Sequence, residues 1–554
     1  MNQAQGHFGP HFISGHKVWL GVVLGVGLAL RLGMAWSPTL VLVQKTLPDD
    51  AFYYFAIARN IWIGRGISVD GVTPTNGFHP LWALALLFPF AVAHSGDLPL
   101  HLSLSLAALF DVGAAWLAYL AARRASGSAP AGVLAAGLYA LNPLTAMESL
   151  NGLETALGVL CFAAVALFYL TRIVGRDMVL FGDWAVFGLV IGLMLLARTD
   201  SVLFAVVLGL HALWQRRHAL WRTLAGLTLA AAMAALLLAP WLAWNLVTFG
   251  TIVQSSAIAA PSVFRRALFE PLARGTPFTQ VWWNGFWPVI YLSFLLAFRY
   301  AGLAWTALLA TAIVRRLVSP AHGQGEAPVE EGSVTKPGEL PHTPAAWSKL
   351  LLPFIGAALP VLVHTFIRWY PRSWYYVPLA WASALVAGPT LARLGARLSA
   401  VPRGRRLALA GLAALGLVLA LQGVKSWRDG FYPWQKHMLV GARWMATQAP
   451  VDAVVASFNS GLQAYYGNRP VVNLDGVVDW GAIRAGESRS LLSYAQRRGA
   501  THLLDYQAYL FTQFAPYLEP GYENCLASVA SLSSEFPPYG RVVAYRIEPD
   551  CPGD

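Results

Sequence analysis

The chain has 554 residues, of which 56% are hydrophobic and only 12% charged, and its mean hydropathy is +0.52. Soluble proteins carry roughly 25% charged residues, so this composition excludes a soluble enzyme, a disordered chain and a fibrous one, and points to a polytopic α-helical membrane protein. The formal charge of +12 would suit nucleic acid, but basic cytoplasmic loops give the same excess, so membrane lipids are the expected partner and nucleic acid is not.

Residues 1–17 are polar and His-rich, and the apolar stretch 18–36 runs into Ser37-Pro38 without a small-residue cleavage site, which predicts a first membrane helix that is retained. Further apolar runs fall at 98–122, 129–146, 153–171, 181–197, 201–214, 223–244, 288–314, 350–367, 374–392 and 407–424. Basic clusters at Arg123-Arg124, Arg172/Arg176, Arg216-Arg217/Arg222, Arg315-Arg316 and 393–406 punctuate them. Placing every cluster in the cytoplasm predicts about eleven spans, a cytoplasmic N-terminus and an outside C-terminus. Segments 46–98, 148–154, 198–200, 245–287 and 368–376 then all lie outside. The apolar run 81–94 is too short to span and would invert every later cluster, so a juxtamembrane helix is expected there. Residues 317–348 are rich in Pro, Gly and Glu and read as a cytoplasmic linker. Asp111, deep in the run 98–122, must face protein or water.

Residues 1–427 thus form a membrane domain, with a first outside loop over 46–98, and residues 428–554 a separate extracytoplasmic domain. The latter alternates β-like runs at 453–457, 471–474, 502–504 and 541–547 with helical stretches at 435–447 and 488–498, which predicts an α/β fold. Its outside location permits a Cys525–Cys551 disulfide, while too few cysteines exist for a metal framework.

The first outside loop is the densest in chemistry: LPDDAFYYFAIARNIWIGRGISVDGVTPTNGFHPLW. Pro48-Asp49-Asp50 reads as a helix start with its carboxylates at the positive end of the dipole, and Phe52, Tyr53, Tyr54, Phe55 and Trp62 make that helix aromatic. A lone acid pair here is most simply a cap, but Thr73, Asn76 and His79 follow in a Gly/Pro-shaped loop, a pattern closer to an active-site loop. Elsewhere, Glu154 opens an apolar run that a bare charge enters only at a cost, so it either faces a cavity or caps a helix. Arg198 and Asp200 sit two residues apart between spans, Arg368 and Arg372 lie in the turn HTFIRWYPRSWYY, and Trp282, Trp283, Phe286 and Trp287 have the character of a membrane interface. Asp475-Gly476 after a β-like run is a turn signature and also a common binding position.

The order of these fragments resembles the GT-C glycosyltransferase superfamily, which includes protein O-mannosyltransferases, aminoarabinose transferases and arabinofuranosyltransferases. The resemblance rests on Asp49-Asp50, Arg59-Asn60, Asn76-Gly77-Phe78-His79-Pro80, Asn151-Gly152-Leu153-Glu154-Thr155, Ala197-Arg198-Thr199-Asp200, Pro240-Trp241 and Trp374-Tyr375-Tyr376-Val377-Pro378. It implies transfer of a sugar, with inversion, from a polyprenyl-phosphate donor to an acceptor hydroxyl on a lipid, glycan or protein outside the cytoplasm. Asp49 or Asp50 is then the base, and Arg372, Arg368 and His79 hold the donor phosphate. Tyr53, Tyr54, Arg59, Asn76, Glu154, Arg198, Asp200, Tyr375 and Tyr376 would line the substrate cavity. No cofactor is required, although Asp49, Asp50 and Glu154 offer hard oxygen ligands suited to Mg or Mn. A Gly/Ala/Arg-rich composition places the protein in a bacterial inner membrane. A polyprenyl-lipid or solute transporter is the competing reading, and an inactive relative that binds polyprenyl lipid is a third. Transporters often show paired halves, and no duplication is visible in this sequence.

Overall fold

A computed structural model describes residues 11–174, 176, 178–318, 344–399 and 402–549. Among them, seven helices are long and apolar enough to cross a membrane: Gly15–Ala35, Leu98–Ser126, Thr155–Ile173, Arg217–Phe249, Phe278–Ile313, Ser373–Ser399 and Gly404–Asp429. The shorter apolar helices Ala129–Ala140, Phe181–Ala197, Thr199–Gln215 and Leu350–Phe366 complete the set of runs expected from the sequence. The protein is a multi-pass membrane protein. The run expected to lie at the membrane surface is the helix Pro80–Val92, which packs on the helix Asp49–Trp62. Most of the expected linker, residues 319–343, lies outside the described residues, as does Cys551 of the expected disulfide; Cys161 is a free cysteine.

Inside lipid the helices gain little from hydrophobicity and must associate through close packing and polar contacts. Both are present. At Gly388 a side chain would meet the backbone of Ala131 and Ala135 at 2.7 Å, so Ser373–Ser399 can lie directly on Ala129–Ala140 only because that position has none. Asp111, fully buried, receives Arg31 Nε at 2.7 Å and Nη2 at 2.6 Å, and accepts the Tyr139 hydroxyl at 2.5 Å. Arg31 Nη1 also donates to the Ala140 carbonyl at 2.7 Å. The acid expected to face protein or water therefore ties three helices together and supports the fold.

The C-terminal domain carries a five-stranded sheet in the order β2-β1-β3-β5-β4. The strands are β1 Val455–Ser457, β2 Val471–Asn473, β3 His502–Tyr506, β4 Leu526–Ser531 and β5 Val542–Ile547. β1 runs parallel to β2 and β3, while β5 is antiparallel to β3 and β4. β4 has no counterpart among the β-like runs, because its half-exposed small residues (LASVAS) carry little apolar signal. The helix Gln435–Thr447 has its expected bounds, whereas the stretch 488–498 is helical only over Leu491–Arg497 and is preceded by an unforeseen helix, Trp480–Glu487.

The five segments expected on one side of the membrane do converge on one end of the bundle, beneath this domain. The Ser255 hydroxyl donates to Val477 O at 2.7 Å, Arg498 pairs with Asp70 at 3.1 Å, and Asn76 Oδ1 accepts Trp480 Nε1 at 2.9 Å. At the other end, Arg216 donates to Ile173 O at 2.7 Å and Arg176 pairs with Asp183 at 3.2 Å, so basic clusters from successive connections gather there.

Breaking a buried ion pair from one side costs about 3–5 kcal/mol, because the remaining charge is left uncompensated. Asp111→Ala is therefore expected to lower the melting temperature in detergent sharply, and Arg31→Met with Asp111→Leu to recover most of the loss. Equal melting temperatures for the single and double variants would show that the pair does not hold the bundle.

Candidate active site

The helix Asp49–Trp62 positions the first loop. Its N-cap is Pro48 and neither aspartate caps it by a side-chain bond, contrary to the simplest reading of the pair. Asp49 instead caps a different helix. Its carboxylate accepts the Gly461 N–H at 2.8 Å and the Leu462 N–H at 3.0 Å, at the start of the helix Gly461–Tyr466 that joins β1 to β2. At the far end of that helix, Arg59 donates to Ala464 O at 2.7 Å and to Tyr465 O at 2.9 Å. Gly461 permits the approach, since a side chain there would lie 2.3 Å from Asp49 O. Burial raises the Asp49 carboxyl to about 7, against the pull of its two backbone donors.

One residue on, and so about 100° around the helix, Asp50 faces a cavity of about 120 Å³ between the bundle and the C-terminal domain. Its carboxylate accepts no hydrogen bond from the described residues. Burial raises its pKa, with the Arg372 guanidinium opposing and Glu154 adding to the rise.

The cavity wall opposite is a chain of charges. Arg198 donates through Nε and Nη2 to Asp200 at 3.1 and 2.7 Å and through Nη1 to Glu154 at 2.9 Å. The Tyr54 hydroxyl donates to Glu154 at 2.8 Å and itself accepts the His79 N–H at 2.9 Å. His364 Nε2 lies 3.0 Å from Asp200 and its ring stacks on Tyr375 at 4.0 Å, with Arg198 over the same tyrosine at 5.0 Å. His79 Nε2 stands 3.6 Å from Glu154, and burial lowers its pKa, which favours the neutral imidazole.

Arg368 lines the cavity with one nitrogen on the Ala257 carbonyl, and no carboxylate lies within ion-pair distance of it among the described residues. Arg372 is not in the wall. It sits behind Tyr370, 4.2 Å from that ring and 5.2 Å from Phe264, likewise without a carboxylate partner among the described residues.

The cavity therefore gathers Asp50, Tyr53, Tyr54, His79, Glu154, Arg198, Asp200, Arg368 and Tyr375 from distant segments. With Arg372, five expected members are elsewhere. Asp49 and Arg59 are spent on the helix Gly461–Tyr466. Asn76 clips two loops to the C-terminal domain through Val253 O at 3.0 Å, Ser255 N at 3.1 Å and Trp480, while its neighbours Gly77 and Phe78 line the wall. Tyr376 points away and stacks on Tyr300 at 5.9 Å. Of the aromatic cluster expected at a membrane interface, Trp283 and Trp287 are exposed and off the cavity. His364, Gln254, Tyr370 and Trp374 were not foreseen. A lone histidine near the end of an apolar run was the one available signal for His364; Gln254 had none.

Of the three carboxylates weighed as metal ligands, Asp50 and Glu154 line the cavity, Glu154 already engaged by Arg198 and Tyr54, whereas Asp49 is held outside it by two backbone N–H groups. Among the described residues no group of three His, Cys, Asp or Glu side chains is placed to hold a metal ion.

Comparison with known proteins agrees with this architecture. Residues 74–244 match the dolichyl-phosphate-mannose-protein mannosyltransferase family, and residues 431–544 match a domain of unknown function, DUF8728. No curated protein matches. ArnT from Cupriavidus metallidurans in the apo state superposes with a TM-score of 0.54 at 16% identity, over 96% of this chain and 98% of that one. Its undecaprenyl phosphate complex gives 0.54 at 15% identity with the same coverage. The oligosaccharyltransferase AglB from Archaeoglobus fulgidus, in complex with an inhibitory peptide and a dolichol-phosphate, gives 0.52 at 16% identity over 99% of this chain and 76% of that one. The chain has the GT-C fold, and the family match together with that fold supports a GT-C glycosyltransferase.

Asp49 titrates near 7 in the folded chain against about 3.9 when unfolded. The folded state then binds the extra proton between these values, so this group's contribution to stability is full below pH ~4, falls as pH rises and levels off above ~7. Thermal unfolding in detergent from pH 4 to 8 should show a declining wild-type stability whose slope flattens in Asp49→Asn. An unchanged slope would remove Asp49 as its source.

Proposed function

We propose that the protein moves a sugar from a polyprenyl-phosphate donor to an acceptor hydroxyl, with inversion at the anomeric carbon, on the outer face of a bacterial inner membrane. The observation that carries this reading is the division of labour within one dipeptide: Asp49 is consumed by backbone donors, whereas Asp50 presents a carboxylate to the cavity with no hydrogen bond from the described residues. The likeness to ArnT, solved with undecaprenyl phosphate, and to AglB, solved with a dolichol-phosphate, supports the donor class. The charge pattern of the loops supports the orientation.

In this reading Asp50 is the general base. It takes the acceptor proton as the acceptor oxygen bonds to the anomeric carbon from the side opposite the phosphate. The carbon–oxygen bond to the phosphate breaks and the lipid phosphate leaves with the electron pair. Arg368, at the wall and free of a carboxylate, receives that charge directly, and neutral His79 adds a donor or acceptor. Arg372, held behind Tyr370, contributes field rather than contact; it also opposes the burial-driven rise of the Asp50 pKa. Arg198 is neutralised by Glu154 and Asp200, so its task is to fix those carboxylates and Tyr54 as a rigid wall.

Purified protein assayed with a polyprenyl-phosphate sugar should lose about 10²–10⁴-fold in turnover on Asp50→Asn, with polyprenyl phosphate binding kept. Asp49→Asn should retain turnover in proportion to folded protein, and Arg368→Ala should weaken polyprenyl phosphate binding. Because burial raises Asp50, the acidic limb of the rate profile should lie above that of a solvent-exposed aspartate. Full activity in Asp50→Asn would discard the assignment; lipid movement across vesicles without sugar transfer would favour a transporter.

A further inference from the structure

A second cavity, of about 240 Å³, adjoins the first across the helix Ser255–Ala273. At 3.6 residues per turn, Ser256, Ala257 and Ala260 fall on one side of that helix and line the catalytic cavity. Ile258, Ala259, Ser262 and Arg266 fall on the opposite side and line the second one. Its far wall belongs to the C-terminal domain, with Asp475, Ile483, Glu487 and Tyr517 among its residues. The partition is thin at one point. Asp475 lines the second cavity, and its Oδ2 lies 3.5 Å from the hydroxyl of Tyr53, which lines the first. Asp475 is set there by a turn: its Oδ1 accepts Val477 N–H at 2.8 Å, and Gly476 adopts a φ of +77°.

We propose that this second cavity is the acceptor subsite and takes an uncharged, hydroxyl-bearing sugar ring; this rests on the glycosyl-transfer reading above. The chemistry of the walls selects that class. Asp475 at the inner end and exposed Glu487 at the rim supply carboxyl oxygens that accept from hydroxyl groups. Arg266 is the one cation among the lining residues, and it is engaged, with Nε on Glu270 at 3.0 Å and its guanidinium 4.5 Å above Tyr517. Among the described residues lining the cavity, no free cation therefore balances a phosphate or carboxylate on the acceptor. Between the two acids, Ile258, Ile483 and Leu491 offer an aliphatic surface for the C–H face of a ring. An extended peptide would need a run of free backbone groups, whereas the lining backbone lies mostly in the helices Ser255–Ala273 and Trp480–Glu487, whose groups bond internally. Drug-sized ligands occupy roughly 300–1,000 Å³, so the volume suits about one ring.

The test is direct binding to the full chain in detergent, by saturation-transfer NMR. The probes are neutral methyl glycosides of glucose, galactose, mannose and arabinose, beside methyl glucuronide and a Ser/Thr tripeptide. At least one neutral glycoside should bind wild type. Ser262→Trp, which places an indole at the mouth, and Glu487→Gln should each weaken that binding at least tenfold while polyprenyl phosphate binding stays unchanged. Should Ser262→Trp misfold, exposed Glu487→Gln decides alone. Absence of neutral glycoside binding, binding unaffected by the variants, or preference for the glucuronide or the peptide overturns the proposal. Glycoside binding without sugar transfer by wild type would sink the enzymatic reading and leave a sugar-binding cavity without an acceptor role.

Discussion

The site depends on one docking contact, that of the short helix Gly461–Tyr466 on the first loop. A helix of this length leaves nearly all of its terminal N–H and C=O groups without internal partners, and burying such groups unpaired costs about 1–3 kcal/mol each. The helix Asp49–Trp62 answers both ends with charges of the right sign: a carboxylate for the positive N-terminus, a guanidinium for the carbonyls at the C-terminus. The contact holds the C-terminal domain over the bundle and closes the cavity, bringing Val477 into its wall and Asp475 to its edge. It also assigns different work to two adjacent identical residues. On a helix, neighbours point about 100° apart, so when Asp49 is turned toward the docked helix, Asp50 is turned toward the cavity.

The cavity obeys the general economy of buried charge. A carboxylate or guanidinium taken out of water must be paired or hydrogen-bonded. Arg198 meets this demand for Glu154 and Asp200 together, and Tyr54 and His364 complete their shells. Against that saturated background the incomplete groups stand out: among the described residues the Asp50 carboxylate has no hydrogen bond, and Arg368 and Arg372 have no acid. In the proposed reading an anionic lipid headgroup and an acceptor hydroxyl would complete such a set. Asp111, Arg31 and Tyr139 satisfy the same rule deep in the bundle with every charge compensated, and there the result is cohesion of helices.

Much of the architecture was legible in the residues. Apolar runs and their basic punctuation located the helices, and the convergence of five separate connections beneath one domain follows the alternation that the arginines imply. The demotion of the run 81–94 rested on length and charge, and a short helix occupies it. The failures share a cause. Asn76 and Arg59 have the chemistry of ligands, but their partners, mostly backbone groups, stand 177 to 406 positions away, which no local pattern reveals. Tyr375 and Tyr376 are equivalent in sequence and separated only by the turn that aims one at His364 and the other at Tyr300.

Composition, hydropathy and charge order by themselves determined that this is a multi-pass membrane protein with a C-terminal α/β unit, and the order of short polar fragments marked the loops that meet at the cavity. Those properties are local or additive along the chain, so a sequence displays them. Only the tertiary structure decided which acid of the pair is free, which arginines lack a counter-charge, and that a second cavity abuts the first at Asp475. Each of these depends on what stands opposite a side chain once helices from distant segments have packed, and pairing, burial and direction exist only in that arrangement.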